Sequence, residues 1–249
     1  MSAFDWLPTL RYLLLGTFPD GPLGGAALTV VMSAVSALLS AVLGLAGGIA
    51  LTMTRGVVRV MLIAIVGFFR AIPVLMLIFW TFFLMPILLH IDVPGLATVV
   101  CALALIGGAY LSHSVHAGLV AVGTGQWQAA ASLGMTRSLA LRYVVLPQAL
   151  RMMGPSFVNQ WVTLIKDTSL AYIVGVPEFT FLATQVNNRV MIYPVQIFLF
   201  VAFVYLLLCS ALQFGASRLL RARRGRSGVS TGADNGIRFA SLTRDVSET

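Results

Sequence analysis

The chain has 249 residues, of which 59% are hydrophobic and only 10% charged, and its mean hydropathy is +0.94. That balance excludes a soluble globular protein. The net charge of +8 is not a nucleic-acid signal, because seven of the sixteen basic residues lie from Arg218 onward, directly after the last apolar run, with no aromatic among the arginines of 218–226.

Runs free of formal charge cover 21–54, 71–91, 93–136 and 190–217. Each is long enough to cross about 30 Å of hydrocarbon as a helix, whereas barrel strands need short alternating segments. The class is an all-α, polytopic membrane protein. Asp5 stands where a signal peptide has basic residues, and the first long apolar run starts late, so no cleavable signal is expected.

Residues 4–15, with Trp6, Tyr12 and a cluster of leucines, predict a short interfacial helix. The stretch 18–25 is rich in Pro and Gly and predicts a turn. A first span is expected at 26–53, with Ser36, Ser40, Gly44, Gly47 and Gly48 as a stripe for close helix packing. A second span is expected at 60–89, with Arg70 and Pro73 inside it. Two readings of Arg70 stand side by side: a charge deep in the span that needs a partner, or one that snorkels at the span's edge.

A turn at 90–94 leads to a third span at 96–120, which carries His113 and His116. These histidines share a helix face but have no third metal ligand nearby in the sequence, so no metal site is expected. Cys101 and Cys209 lie inside apolar runs and read as buried free thiols.

Residues 125–151 read G-Q-W-Q-A-A-A-S-L-G-M-T-R-S-L-A-L-R-Y-V-V-L-P-Q-A-L-R. A short helix at 126–133 carries Ala129, Ala130 and Ala131, and Gly134 sits where a helix closes in a left-handed residue. Thr136 caps a second, basic helix that meets Pro147 near its end. A fourth span is expected at 153–176, with Lys166 and Asp167 inside it. Adjacent residues on a helix point about 100° apart, so this span needs either a break or two polar directions. A contact with Arg70 and a contact with a substrate both fit. A polar loop at 177–189 and a fifth span at 190–216 follow.

The order A-A-x-S-L-G-M-T, followed by L-P-Q-A-L-R with Leu146 ten residues past Thr136, resembles the EAA loop of permease subunits in bacterial ABC importers, in their polar amino-acid branch. F-F-R-A-I-P-V-L-M-L-I-F-W at 68–80 resembles the second span of glutamate/aspartate importers. T-S-L-A-Y-I-V-G-V at 168–176 is likewise similar to the family. The resemblance implies the type I importer permease fold and a coupling helix that docks into a cytoplasmic ATPase, through Gln128, Ala129, Ala130, Ser132, Leu133, Gly134 and Pro147. It also implies pairing with itself or a sister permease, two ATPase subunits and an extracytoplasmic amino-acid-binding protein. ATP and Mg would then bind the partner ATPase and no cofactor this chain. The family's usual Glu is Gln128 here, and His113 and His116 replace its usual Glu and Arg.

Orientation follows from the arginines. An N-out, C-in topology places Arg55, Arg59, Arg137, Arg142, Arg151 and the tail cluster on one face, the cytoplasmic one. The expected layout is an interfacial segment at 1–25 and a membrane domain at 26–217 with its coupling loop at 121–152. A basic tail at 218–249 would be disordered beyond its arginine cluster. No Walker A pattern is present. The substrate is expected to be a polar amino acid, acidic by the glutamate/aspartate resemblance, with Arg70, Lys166, Asp167 and Ser169 as its pathway. The alternative is an ion-coupled secondary transporter using Asp167.

Overall fold

Two helices striped with small residues form the centre. The computed structural model describes residues 6–90, 93–191 and 193–226. Helix α1 is Trp6–Leu15 and α2 is Gly25–Met53; α3 is Gly56–Ala71, α4 Val74–Phe79 and α5 Met85–Leu89. Helix α6 is Gly95–Ala121, α7 Thr124–Ser132, α8 Arg137–Ala140 and α9 Leu146–Asp167, followed by α10, Phe179–Val190, and α11, Pro194–Arg226.

Helices α2 and α6 pack along their length. A Cβ added at Gly44 would collide with Leu111 and one at Gly48 with Val115, while one at Gly108 would lie 2.7 Å from the Leu43 Cβ. The glycines therefore set how closely these backbones approach, and van der Waals contact holds helices together in lipid. Ser33 and Ser112 donate to carbonyls one turn back on their own helices, Thr29 and Gly108, which satisfies their hydroxyls without a partner helix. Three apolar clusters surround this pair: one on α2, α4, α6, the end of α9 and the 3-10 helix at 168–174, one on α1, the start of α2, α10 and α11, and one where α6 meets α9.

The expected second span is not one straight helix. Ile72, just before Pro73, is extended, as sterics require of a residue preceding proline. The chain turns by 99° there between α3 and the helix that follows. Two π-helical segments, Trp80–Leu84 and Leu141–Val145, each precede a proline, Pro86 and Pro147. A helical proline has no N–H and crowds the carbonyl four residues back. That carbonyl belongs to Phe82 and Tyr143, and the wider π turn moves it aside.

Among the described residues, three helices are long and apolar enough to cross a membrane, or four if the bent pair counts as one span. The expected fourth span is helical but does not meet that measure: α9 runs through Asp167 and becomes a 3-10 helix, Thr168–Val174. The expected polar loop at 177–189 is instead α10, with Phe179, Leu182, Ala183 and Val186 buried along one face. Cys101 is exposed and Cys209 half-buried, so neither is the buried thiol expected.

Contacts divide the chain into Met1–Phe214 and Gly215–Thr249. In the second unit the helix carries the arginine cluster as far as Arg226. The expected disorder of the tail concerns 227–249, which lie outside the described residues, as do 1–5 of the interfacial segment.

Candidate functional site

The loop between α6 and α9 folds as a closed knob. At the end of α7, the Gly134 N–H donates to Ala131 O at 2.9 Å and the Met135 N–H to Ala130 O at 3.1 Å. With Gly134 at φ +75, this is the Schellman closure that its position predicts. Thr136 caps α8, accepting from the Leu139 N–H at 3.4 Å. Ala130 is buried and fixes α7 to the body, while Gln128, Ala129, Ser132 and Gly134 are exposed. Leu133 stands at the tip with 82% of its surface exposed.

Pro147 begins α9 and does not end the second helix of the loop. The π turn before it lets the backbone run from α8 into α9, so the basic stretch is continuous with the helix behind it. Leu141, Val145 and Ala149 bury their side chains against Val115 and Leu119 of α6. The Arg137 guanidinium lies 5.7 Å from the centre of the Trp127 ring. A groove of about 560 Å³ opens here, lined by Thr52, Val120, Trp127, Met135 and Arg137.

The proposed pathway residues fall in two places. Arg70 occupies the last turn of α3, at the bend. Its guanidinium lies 5.3 Å from the centre of the Tyr110 ring, and the Tyr110 hydroxyl donates to the Arg70 carbonyl at 3.3 Å. Its Nε is buried with no hydrogen-bond partner. Lys166, Asp167 and Ser169 flank the switch from α9 to the 3-10 helix, so of the two arrangements that adjacent Lys and Asp allow, this is the break. Ser169 donates to Lys166 O at 2.7 Å, and Lys166 is exposed. Arg70 turns to Tyr110, not to Asp167. His116 pairs through Nδ1 with the Thr52 hydroxyl at 2.9 Å, and His113 is exposed.

A polar centre not singled out from the sequence lies between α2, α10 and α11. Glu178 is 0% exposed. One carboxylate oxygen accepts from the Phe181 N–H at 2.8 Å; the other accepts from the Thr180 N–H at 2.9 Å, the Tyr205 hydroxyl at 3.2 Å and the Thr29 hydroxyl at 3.4 Å. Burial pushes its carboxyl up to about 7, against these hydrogen bonds, which favour the charged form. The sequence did carry a signal. Glu178 follows Pro177 and precedes apolar residues at helical spacing, Phe179, Leu182, Ala183 and Val186, which is a helix start and an amphipathic stripe.

A family model described as binding-protein-dependent transport system inner membrane component matches residues 40–225. The probable glutamine ABC transporter permease GlnP of Bacillus subtilis is 37% identical over 152 residues, which are 60% of this chain and 69% of that protein. The glutamate/aspartate import permease GltK of Escherichia coli O6:H1 is 30% identical over 232 residues, covering 89% of this chain and 99% of that one. The crystal structure of an amino acid ABC transporter with histidines superposes with a TM-score of 0.75 at 23% identity, over 88% of this chain and 99% of that chain. The inward-facing MetNI methionine ABC transporter gives 0.72 at 22%, over 88% and 98%. At such identities the structural likeness establishes the fold, that of the type I importer permeases. The sequence match establishes more: this chain belongs to the inner-membrane-component family of binding-protein-dependent transport systems.

Proposed function

We propose that the chain is the permease subunit of an ATP-driven importer of polar, acidic amino acids, coupled to its ATPase through the knob at 125–151. The observation that carries the coupling is the exposed tip made by Ala129, Leu133 and Gly134 on a Schellman-closed, body-anchored helix. As a family member the protein is a multi-pass component of the inner membrane, and ATP hydrolysis belongs to a separate subunit. ATP and Mg bind that subunit in this reading, and this chain holds no cofactor.

The arginine distribution supports an N-out, C-in topology with the knob in the cytoplasm. Helix α3 buries none of its residues, and that free apolar face supports pairing with a second permease, a copy of this chain or a sister subunit. An extracytoplasmic binding protein delivers the substrate in this scheme, and lipid surrounds the rest. Arg70, Lys166, Asp167 and Ser169 are the proposed pathway. The cationic groups suit a side-chain carboxylate, in keeping with the names of GltK and, for the amide, GlnP.

Uptake of radiolabelled glutamate, glutamine, histidine and arginine by cells expressing the complete transporter tests the substrate. Transport of glutamate with arginine excluded is expected; the reverse preference contradicts the acidic assignment. An ion-coupled secondary transporter using Asp167 would have no use for a docking knob, and the family match does not favour it.

A further inference from the structure

Helix α10 turns back at the end of the molecule where α2 begins. The chain reaches it from the 3-10 helix through Gly175, at φ +74. Helix α10 packs on α1, α2 and the 3-10 helix. Beside the apolar contact of Ala26, its polar hold on α2 is short: the Gly25 N–H donates to Pro177 O at 2.9 Å, and the Phe179 N–H donates to the Thr29 hydroxyl at 3.2 Å. Its hold on α11 adds Tyr205, whose hydroxyl pairs with Thr180 at 3.2 Å and with Glu178.

Every one of these polar links touches Glu178 or a residue within two positions of it. A buried carboxylate that joins a helix start to two other helices does more than cap. Capping alone needs only the Thr180 and Phe181 N–H groups, and a surface carboxylate does that at no desolvation cost. We propose that Glu178 is a positioning residue that clamps α10 to the first turn of α2 and to Tyr205, three turns into α11, and that release of this clamp is the step by which α10 moves during transport. The consequence for uptake rests on the importer reading; the clamp itself does not.

The hydroxyls give the clamp two hydrogen-bonded forms. With Glu178 ionised, Tyr205 and Thr29 donate to it and Thr180 donates to Tyr205. With Glu178 protonated, its own O–H donates to Tyr205, which donates to Thr180. The same packing is kept with the hydrogens reversed. Other titratable groups on the surrounding elements are Arg11 and Tyr12 on α1, Tyr172 in the 3-10 helix, Arg189 at the far end of α10, and Cys209 and the terminal arginines on α11. Tyr12 is bonded to Gln185 and Arg11 is exposed. Helix α2 carries no titratable side chain, and Tyr205 is the one bonded to Glu178.

The sign of the pH effect follows. The carboxyl titrates near 7 when clamped and near 4.5 when free, so the clamped form holds the extra proton between those values. The clamp is tightest below the free value, weakens as pH rises through that window, and levels off above about 7.

Amide hydrogen exchange of α10, measured on the purified protein in lipid nanodiscs from pH 5 to 8, tests this directly. Glu178→Gln keeps the shape and stays neutral, so dividing wild-type protection by that of the Gln variant removes the intrinsic pH dependence of exchange. The expected ratio falls by about tenfold per pH unit up to about 7, and Glu178→Ala leaves α10 unprotected throughout. A ratio that stays flat, or an Ala variant protected like wild type, overturns the clamp. In cells, Glu178→Gln is expected to slow uptake several-fold at pH 8 while membrane abundance is unchanged; wild-type uptake by that variant overturns the link to transport. Absence of ATP-driven uptake by the wild type contradicts the importer reading and leaves the exchange result standing.

Discussion

Arg137 and Thr52 are joined across 85 positions of sequence: the Arg137 guanidinium donates to the Thr52 carbonyl at 3.3 Å. The Thr52 hydroxyl pairs in turn with His116. The last turn of α2 is thus a node between the knob at 125–151 and α6. A cation over an exposed aromatic contributes about 0.5–1 kcal/mol, enough to fix a direction but not a fold. Arg137→Ala should insert normally and loosen coupling, so that several-fold more ATP is hydrolysed per substrate imported in proteoliposomes. An unchanged ratio would show that Arg137 is incidental.

Close packing of α2 on α6 gives a second prediction. At Gly48 even a methyl would meet Val115, and overpacking of this kind costs about 1–3 kcal/mol or more. Gly48→Val should strongly reduce folded protein in the membrane, read by detergent-solubilised size exclusion. Gly67→Ala, where nothing lies within 4 Å, should behave as wild type. Equal recovery of the two variants would refute the packing account.

Much of this fold was legible because lipid demands long apolar runs and close packing demands small residues. The stripe from Ser36 to Gly48 showed both, and Gly134 with Thr136 marked the knob correctly. Local chemistry decided what was misread. Pro147 looked like a stop, but a π turn ending two residues earlier carries the helix past it. The second span was expected to run on past Pro73, yet with Ile72 extended the chain makes a near right angle there. Helix α10 was hidden by its polar face of Thr184, Asn187 and Asn188, though its buried residues recur at helical spacing. Glu178 was passed over because two of its partners, Thr29 and Tyr205, reach it only in the fold.

Topology is tested by labelling. In a version with Cys101 and Cys209 replaced, single cysteines at Ser138 and Asn188, both exposed, should react with a membrane-impermeant maleimide from opposite sides. Reaction of both from one side would remove the N-out, C-in arrangement.

The break at the end of α9 predicts a transport defect without an insertion defect. Asp167→Asn keeps the volume and the 3-10 switch, whose hydrogen bonds run through Thr168 and Ser169. Membrane abundance should be unchanged and uptake should fall at least about tenfold, or about 1.4 kcal/mol in barrier. Normal uptake would make the polar break structural.

The coupling claim rests on the tip of the knob. Gly134 is left-handed, and a Cβ there meets nothing within 4 Å in this chain. Asp is among the side chains that best tolerate such a backbone, so Gly134→Asp preserves the knob and changes mainly what it presents to a partner. The decisive measurement is ATPase co-purification and substrate uptake by Gly134→Asp, at membrane abundance matched to wild type. Loss of most bound ATPase together with most uptake is the predicted result; full ATPase retention with wild-type uptake would contradict coupling through this loop.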